Sequence, residues 1–313
     1  MHRIPPALPL SRVRPCPRTL ASIAVPILLT ALAAVLVLAP SASADWISPE
    51  SGGSPNADKI DSLYWATMII AIVIFVGVEG LLFYTLWKFR ASKGAVAKQV
   101  RGNDTLERIW TIGAAVIVIF LAVYTFFQLD EITDPPKSIA SGVEPDAAPL
   151  TDKGDLNICV DGFQFGWRYI YQQKCTSTHR GTDNARRPGK NVGLYAFEEM
   201  VVPAGVTVRL QISSLDVNHA WWIPKLGGKR DATRGYLIET WFRVPEKFGE
   251  QPGGTVFFGQ CAELCGRNHA NMTARVRAVS IAEFNRWAKQ QRADIAAGNA
   301  TLPGLRKQLK VTQ

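Results

Sequence analysis

The sequence predicts a membrane protein in three parts: a two-helix transmembrane hairpin, an all-β sandwich or barrel, and a C-terminal helix. Three observations carry this reading. Residues 63–87 and 109–129 are apolar runs long enough to cross a bilayer core of about 30 Å. Short β-rich segments at 156–160, 164–171, 206–212, 236–244, 255–258 and 274–279 are separated by Gly, Pro and Asp clusters, the pattern of a sandwich or barrel. Ser280 with Glu283 makes a capping pattern that opens an amphipathic stretch at 281–297, ending at Gly298.

Residues 1–44 place Arg3, Arg12, Arg14 and Arg18 before an apolar run and close on Ala42-Ser43-Ala44. This is the layout of a cleavable secretory signal, with an uncleaved anchor as the alternative. Cys16 precedes the apolar run and would leave with the signal. Residues 45–133 then form the hairpin. Tyr64, Trp65, Trp87 and Trp110 stand at the ends of the two spans, where interfacial aromatics belong. Lys88, Arg90, Lys93, Lys98, Arg101 and Arg108 outweigh Asp104 and Glu107 between the spans, so that loop is cytoplasmic and both outer flanks are external. Glu79 is the one ionisable residue deep in a span, marking a contact with a partner subunit or a proton path or, protonated, packing at a helix interface.

The net charge of +9 does not signal nucleic acid. Many of the basic residues fall in the signal, the inter-helix loop, a polar stretch at 176–190 and the tail, and neither a phosphate loop nor zinc-finger spacing accompanies them. The β-rich region, 134–280, holds the chemistry, and 281–313 supplies the helix and a basic tail.

Within 260–272 the chain reads Q-C-A-E-L-C-G-R-N-H-A-N-M. Two thiols at Cys261 and Cys265, an imidazole at His269 and a thioether at Met272 make a soft donor set that suits copper better than zinc, magnesium or calcium. The alternative, a disulfide between the two cysteines, leaves His269 and Met272 without a task. A second imidazole must come from elsewhere. His2 leaves with the signal and His179 lies in the polar stretch, so His219, in a loop just beyond the strand at 206–212, is the candidate. Cys159 and Cys175 lie outside the membrane and form a disulfide only if the intervening chain bends, because a straight strand holds them too far apart.

The hairpin, S-x-D-V-x-H at 214–219 and C-x-E-x-C-G-x-x-H-x-x-M at 261–272, with E-x-I-W-T at 107–111 and D-E-I at 130–132, together resemble subunit II of the haem-copper cytochrome c oxidases. The resemblance covers about residues 60–280. It implies a cupredoxin-like sandwich carrying two copper ions, the CuA centre. In it Cys261 and Cys265 bridge both coppers, His219 and His269 bind one each, Met272 is a weak ligand to one, and the backbone carbonyl of Glu263 serves the other. It also implies that the Glu263 carboxylate faces a magnesium site shared with subunit I, and that Glu107 lies at the cytoplasmic mouth of a proton pathway; Glu107 is equally a favourable helix-start carboxylate. Implied partners are subunit I, subunit III, membrane lipid and a c-type cytochrome as donor, with the copper domain on the outer face of a bacterial plasma membrane. No C-x-x-C-H occurs, so the chain attaches no c haem of the ordinary kind.

Asp216 and Asp231 are candidates to orient ligands or an interface, or else are turn residues. Two departures stand out. In the aromatic stretch at 162–171, Phe165 occupies the position where the family carries its first Trp, the residue associated with accepting electrons; Trp167 is the neighbouring candidate, and a packed core aromatic is the alternative for either. Arg234-Gly235-Tyr236 replaces the usual Pro-Gly-Arg. Quinol-oxidising relatives keep the hairpin and sandwich but lack the copper ligands, which this chain has in full.

Overall fold

The computed structural model describes residues 48–308 apart from 95, 97–98, 100, 137, 139–141, 145–146, 149, 152–153, 174 and 176–192. The expected signal peptide, the polar stretch with His179 and the last residues of the basic tail lie outside the described residues.

Helix α1, Pro55–Lys88, and helix α2, Asp104–Thr133, contain the two apolar runs. Both are long and apolar enough to cross a membrane. At 34 and 30 residues they exceed the expected spans at both ends, because a helix rising 1.5 Å per residue needs only about 20 residues to cross. Their middles expose Val73, Phe75, Leu81, Phe83, Phe126 and Phe127, a surface for lipid. At the far end of α1, Lys88 lies over Tyr84, and Lys93 over Trp87 at 4.8 Å. Asn103 caps α2 by accepting from the Leu106 amide at 3.1 Å. Glu79 is half-buried on α1 between exposed neighbours.

The near ends of both helices meet the β-domain at Trp241. The Trp241 indole donates to the Ile132 carbonyl at 2.9 Å, and the Trp241 carbonyl accepts from Asn56 at 2.7 Å. Ser54 accepts from the Arg243 amide at 3.1 Å, and Lys59 pairs with Glu131 at 2.6 Å.

Among the described residues, ten strands form two five-stranded sheets. In chain order they are β1 Leu156–Phe163, β2 Gly166–Tyr171, β3 Tyr195–Phe197, β4 Glu199–Pro203, β5 Val208–Ser214, β6 His219–Trp222, β7 Arg230–Ala232, β8 Ile238–Phe242, β9 Thr255–Cys261 and β10 Thr273–Val279. One sheet has the order β3-β2-β1-β5-β8, the other β4-β10-β9-β6-β7. Burial alternates strictly along V-R-L-Q-I-S-S of β5. Ile158, Trp167, Tyr169, Leu210, Met200, Trp221, Phe242 and Val276 fill the core. This is the expected sandwich, of cupredoxin-like type.

Several elements differ from expectation, each for a physical reason. The segment at 164–171 is not one strand: Gln164 and Phe165 form a two-residue turn between β1 and β2, so Phe165 leaves the aromatic strand. That hairpin also resolves the second cysteine pair. Because the chain doubles back, Cys159 and Cys175 come within 5.6 Å between Cα atoms and form a disulfide. Strands β3, β4, β6 and β7 were not expected; they are three to five residues long and take their pairing from distant segments, as when His219 lies opposite Ala232. His219 therefore begins a strand rather than sitting in a loop.

The C-terminal helix α3, Ile281–Gln308, starts as predicted, with Ser280 accepting from the Glu283 amide at 3.3 Å. Phe284 is fully buried, and Trp287 lies 5.4 Å from Tyr171 between ring centroids. The expected stop at Gly298 does not occur. A glycine ends a helix by adopting left-handed φ, and Gly298 does not adopt it.

Candidate metal centre

Strands β9 and β10 are antiparallel neighbours, and the chain joining them leaves β9 at Cys261 and re-enters β10 just after Met272. The Cys261 amide donates to the Met272 carbonyl at 2.8 Å and closes the loop at its base. Inside it, the His269 amide donates to the Gly266 carbonyl at 3.1 Å and the Met272 amide to the His269 carbonyl at 3.1 Å. These bonds turn His269 and Met272 back toward the cysteines. Strand β6 brings the remote imidazole, because Trp221 pairs with Cys261 across the ladder and His219 lies two residues earlier.

The donors converge. The Cys261 and Cys265 sulfurs are 3.9 Å apart. His219 Nδ1 lies 3.9 Å from the Cys261 sulfur, and His269 Nδ1 lies 3.5 Å from that of Cys265. The Met272 sulfur is 3.8 Å from Cys265, and the Glu263 carbonyl oxygen is 3.2 Å from Cys261. His219, Cys261, Cys265 and Met272 are almost wholly buried, His269 is half-buried, and the Glu263 side chain is exposed. The ligand atoms of His219, Cys261 and Cys265 all lie within 4.8 Å of one another, a spacing a metal ion can close. Two thiols with an imidazole nitrogen each, plus a thioether and a carbonyl, fit copper by donor type.

Asp216 holds the free side of His219: its Oδ1 lies 2.8 Å from Nε2, leaving Nδ1 toward the sulfur. Burial lowers the His219 pKa, but Cys261 and Asp216 more than offset this, and the net shift is upward. Burial likewise raises Cys261, yet hydrogen bonds from His219 and from the backbone at Glu263 and Ala220 bring it down to about 6. Cys265 is pushed up to about 11, by burial first and then by the neighbouring Cys261 charge. In the metal-free chain, with Cys16 replaced by serine, thiolate absorbance is expected to rise near pH 6 for one sulfur and above pH 10 for the second. Two equal transitions near the ordinary thiol value would contradict the asymmetry.

The remaining sequence candidates separate. Phe165, half-buried in the hairpin turn, lies against the cysteine loop, where a Cβ on Gly266 would come within 3.2 Å of its ring. Trp167 is fully buried with its ring centroid 5.9 Å from that of His219. Trp167 is thus an internal neighbour of the imidazole. Asp231 is exposed on β7, opposite Ala220. Glu107 is exposed on the first turn of α2 and accepts from the Asn103 amide at 3.3 Å, the helix-start role the sequence left open. Sequence reading passed over Gln164, whose amide reaches the Cys265 carbonyl at 2.7 Å; nothing in its spacing marks a contact across 101 residues.

Fold and site together define a membrane-anchored cupredoxin-type protein whose cysteine-rich loop could hold a metal ion. Residues 156–279 match the family described as cytochrome C oxidase subunit II, periplasmic domain, and residues 47–128 match the family described as cytochrome C oxidase subunit II, transmembrane domain. The chain belongs to the cytochrome c oxidase subunit II family, a component of haem-copper terminal oxidases. It is 30% identical over 300 residues to cytochrome c oxidase subunit 2 of Cereibacter sphaeroides, covering 87% of this chain and 91% of that one. A probable cytochrome c oxidase subunit 2 of Rickettsia bellii is 30% identical, with 78% and 84% covered. The crystal structure of the periplasmic domain of subunit II from Bradyrhizobium japonicum is 33% identical, with 45% of this chain and 95% of that chain covered and a TM-score of 0.34.

Proposed function

We propose that this chain is the electron-accepting subunit of a cytochrome c oxidase. It takes electrons from a c-type cytochrome at a dinuclear CuA centre and passes them to haem in subunit I, where oxygen is reduced to water. The observation that carries this is the convergence of two buried sulfurs, two imidazole Nδ1 atoms, a thioether and a backbone carbonyl on one loop of a membrane-anchored sandwich.

Cys261, Cys265, His219 and His269, with the Met272 sulfur and the Glu263 carbonyl, would hold the copper ions. Copper held there by two thiolates would supply a one-electron carrier. The protein's part is rigidity: the ligands are held by β6, β9 and the hydrogen bonds at the loop base, so they move little when charge changes. Asp216 orients His219, as outer carboxylates commonly do for metal-bound imidazoles, and the exposed Asp231 is offered to the subunit interface. Phe165, beside the loop, is the nearer candidate for receiving electrons.

The Glu263 carboxylate, exposed beside the loop, suits a magnesium site shared with subunit I. Glu107, at the opposite end of α2 from the β-domain, suits the mouth of a proton path. Residues 1–44 act as a signal peptide, 45–133 as the membrane hairpin, 134–280 as the copper domain and 281–313 as its C-terminal helix and tail. The protein lies in a bacterial plasma membrane with the copper domain outside, bound to subunits I and III and carrying no haem itself.

Full-length chain purified in detergent and loaded with copper tests the reading. Two coppers per chain, with an EPR hyperfine pattern from one unpaired electron shared by two equivalent nuclei, is expected. A mononuclear cupric signal, or copper held only as the cuprous ion, would overturn it.

A further inference from the structure

We propose that Gln164 is a positioning residue that locks the Cys265 arm of the copper site to the tip of the β1–β2 hairpin, an inference that rests on the copper reading above. Gln164 belongs to neither ligand-bearing segment. It sits exposed in the turn between β1 and β2, in the sheet opposite to the one that carries the ligands.

From there it makes two bonds in different directions. Its side-chain Nε2 donates to the Cys265 carbonyl at 2.7 Å. Its backbone amide donates to Asp216 Oδ2 at 2.7 Å, and the other oxygen of Asp216 lies 2.8 Å from His219 Nε2. One residue thus ties together the segment before β6 and the segment after β9, which carry the two halves of the ligand set.

The fit at the cysteine loop is close. Gly266 follows Cys265 with φ +130°, and a Cβ there would lie 3.0 Å from Gln164 Nε2 and 3.2 Å from two ring atoms of Phe165. The absence of a side chain at Gly266 lets the hairpin tip rest on the loop. The Cys265–Gly266 peptide is accordingly held at its carbonyl by the Gln164 side-chain amide, and the next peptide, Gly266–Arg267, is held at its carbonyl by the His269 amide. Holding that carbonyl restricts the backbone rotation at Cys265 and so the range of directions its side chain can take.

The two arms separate in experiment. Gln164→Leu removes only the side-chain donor and leaves the backbone bond to Asp216; Gln164→Glu puts an acceptor against the Cys265 carbonyl; Asp216→Asn weakens the His219 arm instead. In the copper-loaded full chain, Gln164→Leu is expected to lose copper to a cuprous chelator roughly three- to ten-fold faster, the worth of one hydrogen bond. The paramagnetically shifted Cys265 β-proton resonances should move while those of the His219 ring stay, and Asp216→Asn should reverse that pattern. Gln164→Glu should do at least as much as Gln164→Leu. In the metal-free chain, Gln164→Leu should speed amide exchange across 262–272 by a similar factor.

Copper release and Cys265 resonances unchanged in Gln164→Leu, or equal movement of Cys265 and His219 signals, would overturn the assignment. The exchange arm needs no metal. If the unaltered chain took up no copper pair, the proposed function would fall, while exchange across 262–272 would still decide whether Gln164 holds the loop.

Discussion

Cys261→Ser and Cys265→Ser each abolish the shared-electron EPR pattern, whereas Met272→Leu retains two coppers and shifts the reduction potential; this is the largest functional contrast expected in the molecule. A serine oxygen is a hard donor that does not bridge two copper ions as a thiolate does, and each sulfur has the other 3.9 Å away with an imidazole nitrogen beside it. Removing either bridge should weaken copper retention by more than the roughly 10- to 100-fold that residues supporting a metal ligand usually cost. Met272 differs in kind. On the proposed reading it would be a weak axial-type ligand, which tunes the potential more than it holds the metal. It is also 1% exposed in the core beside Cys265, so leucine, of similar volume, preserves the packing. Copper analysis and redox titration of the three variants check this, and equal copper loss in all three would refute the ligand roles.

Asp161→Asn lowers the thermal midpoint of the β-domain by roughly 6–20 °C, the shift that a loss of about 3–5 kcal/mol gives in a domain of this size. Asp161 and Arg168 lie directly opposite each other on β1 and β2, with Arg168 Nε donating at 3.0 Å and a second bond through Nη2. Their side chains are 5% and 2% exposed. Neutralising the carboxylate leaves a guanidinium buried without it, which costs far more than an exposed pair is worth. The double replacement Asp161→Leu with Arg168→Met should recover most of the midpoint, because an apolar pair of similar size needs no charge compensation. Circular dichroism melting of the full chain in detergent reads both, and a single variant that melts within 2 °C of the unaltered chain, well below that range, would contradict the argument.

How much of this was legible beforehand depends on where each interaction partner lies in the chain. The copper loop was legible because four donors fall within residues 261–272 and their soft chemistry is written in the residue types. His219 was found by elimination among four histidines, which needed no geometry. The two apolar helices were equally plain, since a bilayer demands long uninterrupted runs. The short strands were not, because β6 and β7 have too few residues to show a period and exist by pairing with β9 and with each other. The turn at Gln164 and Phe165, the Cys159–Cys175 bridge that follows from it, and the continuation of α3 through Gly298 were also misread or left open.

By itself the sequence determined the donor chemistry, the membrane hairpin and its orientation, and the β-rich character of the outer domain, all properties of residue type and local period. Tertiary structure alone decided which atoms meet. It placed His219 Nδ1 toward Cys261 by giving Nε2 to Asp216, drew Gln164 onto the Cys265 carbonyl, and withdrew Trp167 into the core. Those outcomes depend on the register of β6 against β9 and on the reach of the β1–β2 hairpin, and such contacts between distant segments leave no period in the chain that makes them.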